Sequence, residues 1–316
     1  MRSRGKLICL FLLTAIVLSA CHPLVEEEGP EELVVYATFY PIYALSERIF
    51  QGIPSMELHC LVQPQDGCLR DYALSDWDLY LLAYSADAVI EGGRGLESFS
   101  STLTAMGESG PAVVTAMLNM ELYNNDEEAS DSDEETSHLI GPNPHYFLSL
   151  EGAEYILEAI ALYMSELDPD YSETYFLNLD AALEELIPLR ETVSALAETT
   201  SGKQVVLLNE AAIYPALDMG LEVAEWIDRE SGDMLYGGDL ENCLDTLTES
   251  GARVVLIEQQ APKALIDALE NAGFSVAKID TLSTGREETG WEGYLQALES
   301  NAQSIAQAFE ALEGTH

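Results

Sequence analysis

The sequence has few positive charges. In 316 residues, 13 lysines and arginines stand against 56 aspartates and glutamates, so the formal net charge is −43. A surface this acidic repels the phosphates of nucleic acids and anionic lipid headgroups. The composition therefore excludes a nucleic-acid-binding protein and favours cations or positively charged partners. With 47% hydrophobic residues, the chain still has the composition of a folded protein.

Common catalytic signatures are also missing. The chain has no Gly-x-Ser-x-Gly motif, no His-Glu-x-x-His motif, no chain order typical of a Ser-His-Asp triad and no glycine-rich phosphate-binding loop. These absences favour a binding protein over an enzyme. The enzyme class that stays open is a metal-assisted hydrolase, in which a bound metal activates water.

No apolar run reaches the length of about 20 residues that a membrane-spanning helix needs. The run at 7–20 follows Arg2, Arg4 and Lys6 and is typical of a secretory signal. It ends in Leu18-Ser19-Ala20-Cys21, which resembles the cleavage box of bacterial lipoproteins. We therefore predict a signal peptide over 1–20, a lipid anchor on Cys21 and a flexible tether over 21–32. A plain cleaved signal with an unmodified Cys21 is the alternative.

From residue 33 onward, strands and helices alternate. Apolar or alternating segments predict strands near 33–36, 56–62, 87–90, 205–208, 254–257 and 274–279, with helices between them. This order predicts an α/β fold of two lobes, each a parallel sheet flanked by helices. The lobes are expected at 33–169 and 201–316, joined by one long backbone helix over 170–200. Pro188 predicts a kink about one turn earlier in that helix.

An acidic loop at 124–138 separates this pattern from the next helix. Seven of the ten residues at 126–135 are acidic, and such a run repels itself and buries no apolar surface. One interpretation is a solvated insertion. The other is a weak collector of divalent cations, since carboxylates are hard oxygen ligands. His138, at the end of the loop, is a candidate for transient metal contact.

Three polar residues stand where a ligand is expected, beyond the carboxyl ends of parallel strands. Glu210 follows the strand at 205–208, Asp280 follows the strand that ends at Ile279, and His145 precedes the helix that begins near Glu151. One imidazole and two carboxylates suit a divalent metal. From spacing alone, each of them is equally compatible with a solvated or capping residue.

Several segments together resemble one family. They are VYATFYPIY at 35–43, Leu61-Val62, Asp71-Tyr72, SADAVIEGGRGLESF at 85–99, NPHYFL at 143–148, IEQQAPK at 257–263 and WEGYL at 291–295. Their order and spacing resemble the metal-type substrate-binding lipoproteins of ABC transporters, over about residues 33–312. The resemblance implies a monomer outside the cytoplasm that captures Zn²⁺ or Mn²⁺ between two lobes. It also implies an ABC permease and its ATPase as partners.

The resemblance implies a metal site with four ligands, of which this sequence retains three. His145 matches the histidine of the family's Pro-His motif, Glu210 stands where the family has His or Glu, and Asp280 matches its late aspartate. Arg70 occupies the fourth position, where the family has a histidine. Arginine stays protonated and has no lone pair for a metal.

Two outcomes follow from Arg70. In the first, Arg70 points outward, and water, Cys68 or the acidic loop completes the site. Ligands of one nitrogen and two carboxylates would favour Mn²⁺, whereas a Cys68 thiolate would favour Zn²⁺. In the second, Arg70 fills the place of the metal and the protein binds an organic ligand or acts as an adhesin.

The cysteines allow several interpretations. A Cys60–Cys68 disulfide, two free thiols and Cys68 as a ligand all stay open. Cys243 is expected to pack in the core.

Overall fold

The computed structural model describes residues 32–63, 69, 72–117, 120–123, 142–227, 235–283 and 290–314. The predicted signal peptide, Cys21, Cys68, Arg70 and the acidic segment with His138 lie outside the described residues. Within the described residues, no helix is long and apolar enough to span a membrane.

The N-terminal lobe contains a sheet of four parallel strands in the order β2-β1-β3-β4. Its strands are β1 (Leu33–Ala37), β2 (Met56–Cys60), β3 (Ala88–Glu91) and β4 (Ala112–Thr115). Its helices are α1 (Tyr40–Ile49), α2 (Asp76–Tyr84), α3 (Ser100–Met106) and α4 (Leu150–Leu167). Strand β3 is apolar along most of its length and fully buried, as expected for an inner strand with helices on both faces.

The C-terminal lobe repeats this arrangement, with parallel strands in the order β6-β5-β7-β8. Its strands are β5 (Gln204–Leu207), β6 (Glu222–Trp226), β7 (Val254–Glu258) and β8 (Ser275–Ile279). In each sheet the chain first adds a strand on one side and then continues on the other. Ligands of open parallel sheets bind at such a switch point, beyond the carboxyl ends of the strands. The predicted α/β fold with two parallel sheets is confirmed.

Helix α5 (Ser172–Thr200) is the predicted link between the lobes. Its 29 residues correspond to a length of about 44 Å at 1.5 Å per residue. Pro188 lies inside the helix and does not end it. Leu179, Leu186 and Val193 are buried at helical spacing, so tertiary packing outweighs the cost of the proline.

The C-terminal lobe also contains α6 (Ile213–Asp218), α7 (Gly238–Ser250), α8 (Lys263–Asn271) and α9 (Trp291–Glu313). Helix α9 packs on β8 and reaches back to α1 and α5. The Tyr294 hydroxyl donates to the Phe147 carbonyl at 2.5 Å, and the Trp291 backbone N–H donates to the Glu47 carboxylate at 3.0 Å. Helix α9 therefore joins the two lobes by side-chain packing in addition to the covalent link through α5.

An ion pair lies where α1, α5 and α9 meet. Arg48, almost fully buried on α1, donates two hydrogen bonds to the Glu185 carboxylate on α5, at 2.9 and 3.2 Å. The indole N–H of Trp291 on α9 donates to the same carboxylate at 2.5 Å. Burial opposes the charge of Glu185, but these hydrogen bonds outweigh it and hold the pKa of Glu185 below its ordinary value. Three helices thus share one charged contact.

Candidate functional site

His145 stands in a short segment whose neighbours fix its backbone. It precedes a 3₁₀ turn at Tyr146–Leu148, and all three residues of that turn are buried. Ser149 then caps α4 by accepting the Gly152 N–H at 2.9 Å. The side chain of His145 is mostly buried, with 14% exposed, and its ring lies 5.8 Å from the Phe147 ring. The imidazole is therefore partly shielded from water.

Glu210 follows β5, a central strand at the switch point of the C-terminal lobe. It begins a 3₁₀ turn at Glu210–Ala212, and Asn209 caps that turn by accepting the Ala211 N–H at 2.9 Å. The carboxylate is 17% exposed. Its position matches the sequence prediction of a polar group just beyond the carboxyl end of this strand.

The structure brings His145 and Glu210 together from opposite lobes. His145 Nδ1 lies 3.9 Å from Glu210 Oε1. This distance is too long for a hydrogen bond between the two side chains. An imidazole and a carboxylate at this separation, both mostly buried, form a polar pair where the carboxyl end of β5 faces the N-terminal lobe.

Asn143 connects the two residues of this pair. Its amide nitrogen Nδ2 donates to the Glu210 backbone carbonyl at 3.0 Å. Its amide oxygen Oδ1 accepts the His145 backbone N–H at 3.0 Å and lies 3.0 Å from His145 Nδ1. The Tyr214 hydroxyl on α6 donates to the Asn143 carbonyl at 2.7 Å. The sequence analysis gave Asn143 no role, although it lies two residues before His145.

Asp280 is held by a separate set of contacts. Its backbone N–H donates to Asn301 Oδ1 at 2.7 Å, and Asn301 Nδ2 donates back to the Asp280 carbonyl at 2.9 Å. Asp280 Oδ1 accepts the N–H of Leu282, a residue with a left-handed φ of 56°. A buried asparagine of α9 thus fixes Asp280 at the end of β8. The sequence analysis missed this clamp as well.

The three predicted ligands do not form one ready cluster. In the part of the chain that the structure describes, no group of three or more His, Cys, Asp or Glu side chains is placed to hold a metal ion. His145 lies beside Glu210, and Asp280 follows strand β8. The assignment of all three as ligands stays a prediction.

A buried carboxylate organises the switch point of the N-terminal lobe. Glu97 Oε1 accepts the Thr38 hydroxyl and the Gly92 N–H, both at 2.7 Å, and Oε2 accepts the Gly93 N–H at 2.9 Å. Burial raises the pKa of Glu97 to about 7, although these three donors oppose the shift. The Tyr146 hydroxyl donates to the Gly92 carbonyl at 2.7 Å, which ties this loop to the segment of His145.

Any other residue at Gly93 would strain that loop. Its φ is +75°, and a Cβ there would lie 2.5 Å from Thr115 Cγ2. Among the described residues, Cys243 is buried and Cys60 is partly buried. Cys243 on α7 is buried, as predicted, and the Cys60 thiol donates to the Val62 carbonyl at 3.3 Å. The predicted Cys60–Cys68 alternatives stay open, because Cys68 lies outside the described residues.

The protein family described as "Zinc-uptake complex component A periplasmic" matches residues 35–308. The chain belongs to this family. The match spans both sheets, helix α5 and most of α9. It confirms the resemblance to metal-type substrate-binding proteins that the sequence segments predicted.

The chain is similar to several named proteins at low identity. The "Zinc-binding lipoprotein AdcA" of Streptococcus pneumoniae is 24% identical over 93% of this chain and 59% of its own length. The "Manganese-binding lipoprotein MntA" of Halalkalibacterium halodurans is 24% identical over 52% of this chain and 56% of its own length. The chain thus spans less than two thirds of the length of these curated relatives.

Solved structures share the fold. The substrate-binding protein FpvC of Pseudomonas aeruginosa, solved in complex with Mn²⁺, has a TM-score of 0.73 and 20% identity to this chain. It covers 89% of this chain and 99% of its own length. At this identity the similarity supports the two-lobed architecture alone.

Proposed function

We propose that the protein captures a divalent transition metal, Zn²⁺ or Mn²⁺, between its two lobes and delivers it to an ABC permease for uptake. The observation that carries the proposal is the approach of His145 Nδ1 to Glu210 Oε1, at 3.9 Å, from opposite lobes. Membership of the zinc-uptake family and the names of the relatives support it.

The chemistry of the pair suits a transition metal. Imidazole nitrogen and carboxylate oxygen are both ligands of Zn²⁺ and of Mn²⁺. Asp280 is proposed as the third ligand, and it would join the pair as the metal binds. The net charge of −43 favours the approach of any cation to the cleft.

Delivery requires a position next to a membrane. We propose that Cys21 carries a lipid anchor outside the cytoplasm and that the monomer meets a permease driven by an ATPase. In this proposal the protein binds its cargo and performs no reaction on it. The lipoprotein names of AdcA and MntA support the anchor.

The first experiment is elemental analysis of the dialysed mature protein, paired with calorimetric titration of Zn²⁺ and Mn²⁺. One tightly held metal per chain is the expected result. Glu210→Ala and Asp280→Ala are each expected to abolish binding. Glu222→Ala is the matched control, because it removes the same charge at the amino ends of the strands, away from the carboxyl end of β5, and should leave the affinity unchanged. Wild-type affinity in both Glu210→Ala and Asp280→Ala would overturn the site assignment.

Arg70 gives a second test. Arg70→His supplies the nitrogen ligand that the family has at this position and is expected to strengthen zinc binding. Unchanged or weaker binding in this variant would place Arg70 outside the site. If the wild-type protein binds no metal at micromolar concentrations, that result favours the alternative, in which Arg70 fills the place of the metal and the ligand is organic or a surface partner.

A further inference from the structure

Asn143 is a fully buried polar residue beside the proposed site, and its hydrogen bonds determine which way its amide points. The nitrogen Nδ2 lies 3.0 Å from the Glu210 backbone carbonyl, which only accepts. The oxygen Oδ1 lies 3.0 Å from the His145 backbone N–H, which only donates. The reversed amide would place a donor against a donor and an acceptor against an acceptor. Two backbone groups therefore fix the orientation.

This orientation in turn determines the proton on the imidazole. Asn143 Oδ1 lies 3.0 Å from His145 Nδ1, and an amide oxygen has two lone pairs, so it accepts from both the backbone and the ring. A ring nitrogen that faces an acceptor must carry hydrogen. Glu210 Oε1 lies farther away, at 3.9 Å from the same nitrogen. Of these two neighbours, Asn143 is therefore the one within hydrogen-bond distance of Nδ1.

We propose that Asn143 is a positioning residue, which holds the neutral His145 ring with its proton on Nδ1 and its lone pair on Nε2. The atom that His145 offers to a metal is then Nε2, and the ring is fixed before the metal arrives. This inference rests on the proposed function for its purpose, but the tautomer itself is a property of the protein without metal.

The same amide also fixes the second member of the pair. Its Nδ2 donates to the Glu210 backbone carbonyl, and the backbone carbonyl of Asn143 accepts from the Tyr214 hydroxyl on α6. The backbone N–H of Tyr123 donates to the Tyr214 hydroxyl at 3.3 Å. One buried side chain thus sets the direction of the imidazole and the distance of the Glu210 backbone. Outer-shell partners of this kind change metal affinity by about 10- to 100-fold when they are removed.

The direct test is nitrogen NMR of the ¹⁵N-labelled, metal-free protein at a pH where the imidazole is neutral. The chain has only five histidines, so a spectrum of His145→Gln assigns the signals of His145 by their loss. In the wild-type protein we expect Nδ1 to carry the proton. In Asn143→Ala we expect a mixture of tautomers or a proton on Nε2, together with a 10- to 100-fold loss of zinc affinity in calorimetry.

Two further variants separate the contacts. Asn143→Asp keeps an acceptor beside Nδ1 and loses the donor to the Glu210 carbonyl, so the Nδ1–H tautomer should persist. Tyr214→Phe removes the hydrogen bond to the Asn143 carbonyl without touching the ring, so it should lower stability and leave the tautomer unchanged. If Asn143→Ala does not fold, the Asp variant and the wild-type spectrum still decide the matter.

A proton on Nε2 in the wild-type protein overturns the inference. So does a folded Asn143→Ala variant that keeps both the wild-type tautomer and the wild-type zinc affinity. The proposed function fails independently: a wild-type protein with the Nδ1–H tautomer that binds no metal would refute the function and leave the positioning role intact.

Discussion

The pKa of Glu97 predicts that the protein loses stability as the pH rises from acidic to neutral. Burial raises this pKa from 4.5 to about 7, so between these values the folded protein holds a proton that the unfolded chain has released. The stability contribution is fully present below pH 4.5 and is lost as the pH rises to about 7. At about 1.4 kcal/mol per pH unit, a shift of this size corresponds to roughly 3 kcal/mol.

Glu97→Gln tests this prediction, because the amide has the same shape and does not titrate. The variant loses one hydrogen bond, since its NH₂ group would meet the Gly93 N–H that now donates to Oε2. Its absolute stability is therefore not informative, and the quantity to compare is the slope of unfolding free energy against pH. In urea unfolding from pH 5 to 8, the free energy of unfolding of the variant should fall by roughly 2 to 3 kcal/mol less than that of the wild type.

Asp218→Asn is the matched control. Burial also raises the pKa of Asp218, from 3.8 to about 6, so this variant should flatten the curve only up to about pH 6 and leave the slope between pH 6 and 7, which Glu97 controls. The reasoning fails if Glu97→Gln keeps the full wild-type slope between pH 5 and 7. That result would mean that the three donors around the carboxylate outweigh its desolvation.

Three further predictions concern packing and charge. Tyr294→Phe leaves the buried Phe147 carbonyl without the tyrosine hydroxyl and should cost about 1 to 3 kcal/mol in urea unfolding, against little change for Tyr84→Phe on the surface. Glu185→Ala leaves the buried Arg48 guanidinium without its carboxylate and should cost more than the double variant Arg48→Met with Glu185→Ala. A double-mutant cycle measures the difference, and an equal cost would contradict the importance of the ion pair. Salt should raise the melting temperature, because it screens the repulsion within a chain of charge −43; a constant melting temperature from about 0.01 to 0.5 M salt would contradict this.

The inner strands of both sheets were predictable because they are short, continuous apolar runs. The edge strands β4 and β6 were not predicted. Strand β6 (Glu222–Trp226) has two glutamates in five residues, and β4 (Ala112–Thr115) is only four residues long and directly follows Pro111. Each of them pairs with a single neighbour, so it needs less apolar sequence than a strand enclosed on both sides. The hydrophobic pattern of a sequence predicts strands least well where pairing with a neighbouring strand determines the structure.

The candidate site was predictable only in part, for a related reason. The sequence predicted Glu210 and Asp280 because each follows a strand, and it predicted His145 because the residue matches the Pro-His motif of the family that the segments resemble. Asn143 acts on Glu210 across 67 residues of sequence, and Asn301 clamps Asp280 from a helix 21 residues away. Hydrogen bonds of this kind depend on how the lobes and α9 pack, which no short stretch of sequence contains.

Helix α9 affects how the protein folds during its synthesis. Tyr40 and Gly290 share a hydrogen bond although 250 positions separate them, and the buried face of α9 fills space against α1. Since ribosomes make the N-terminal lobe before α9, the core of that lobe is complete only after α9 has been synthesised. A chain that stops before Trp291 would expose apolar surface in both lobes. Such incomplete chains would be targets for proteases, because they lack the one helix that covers this apolar surface.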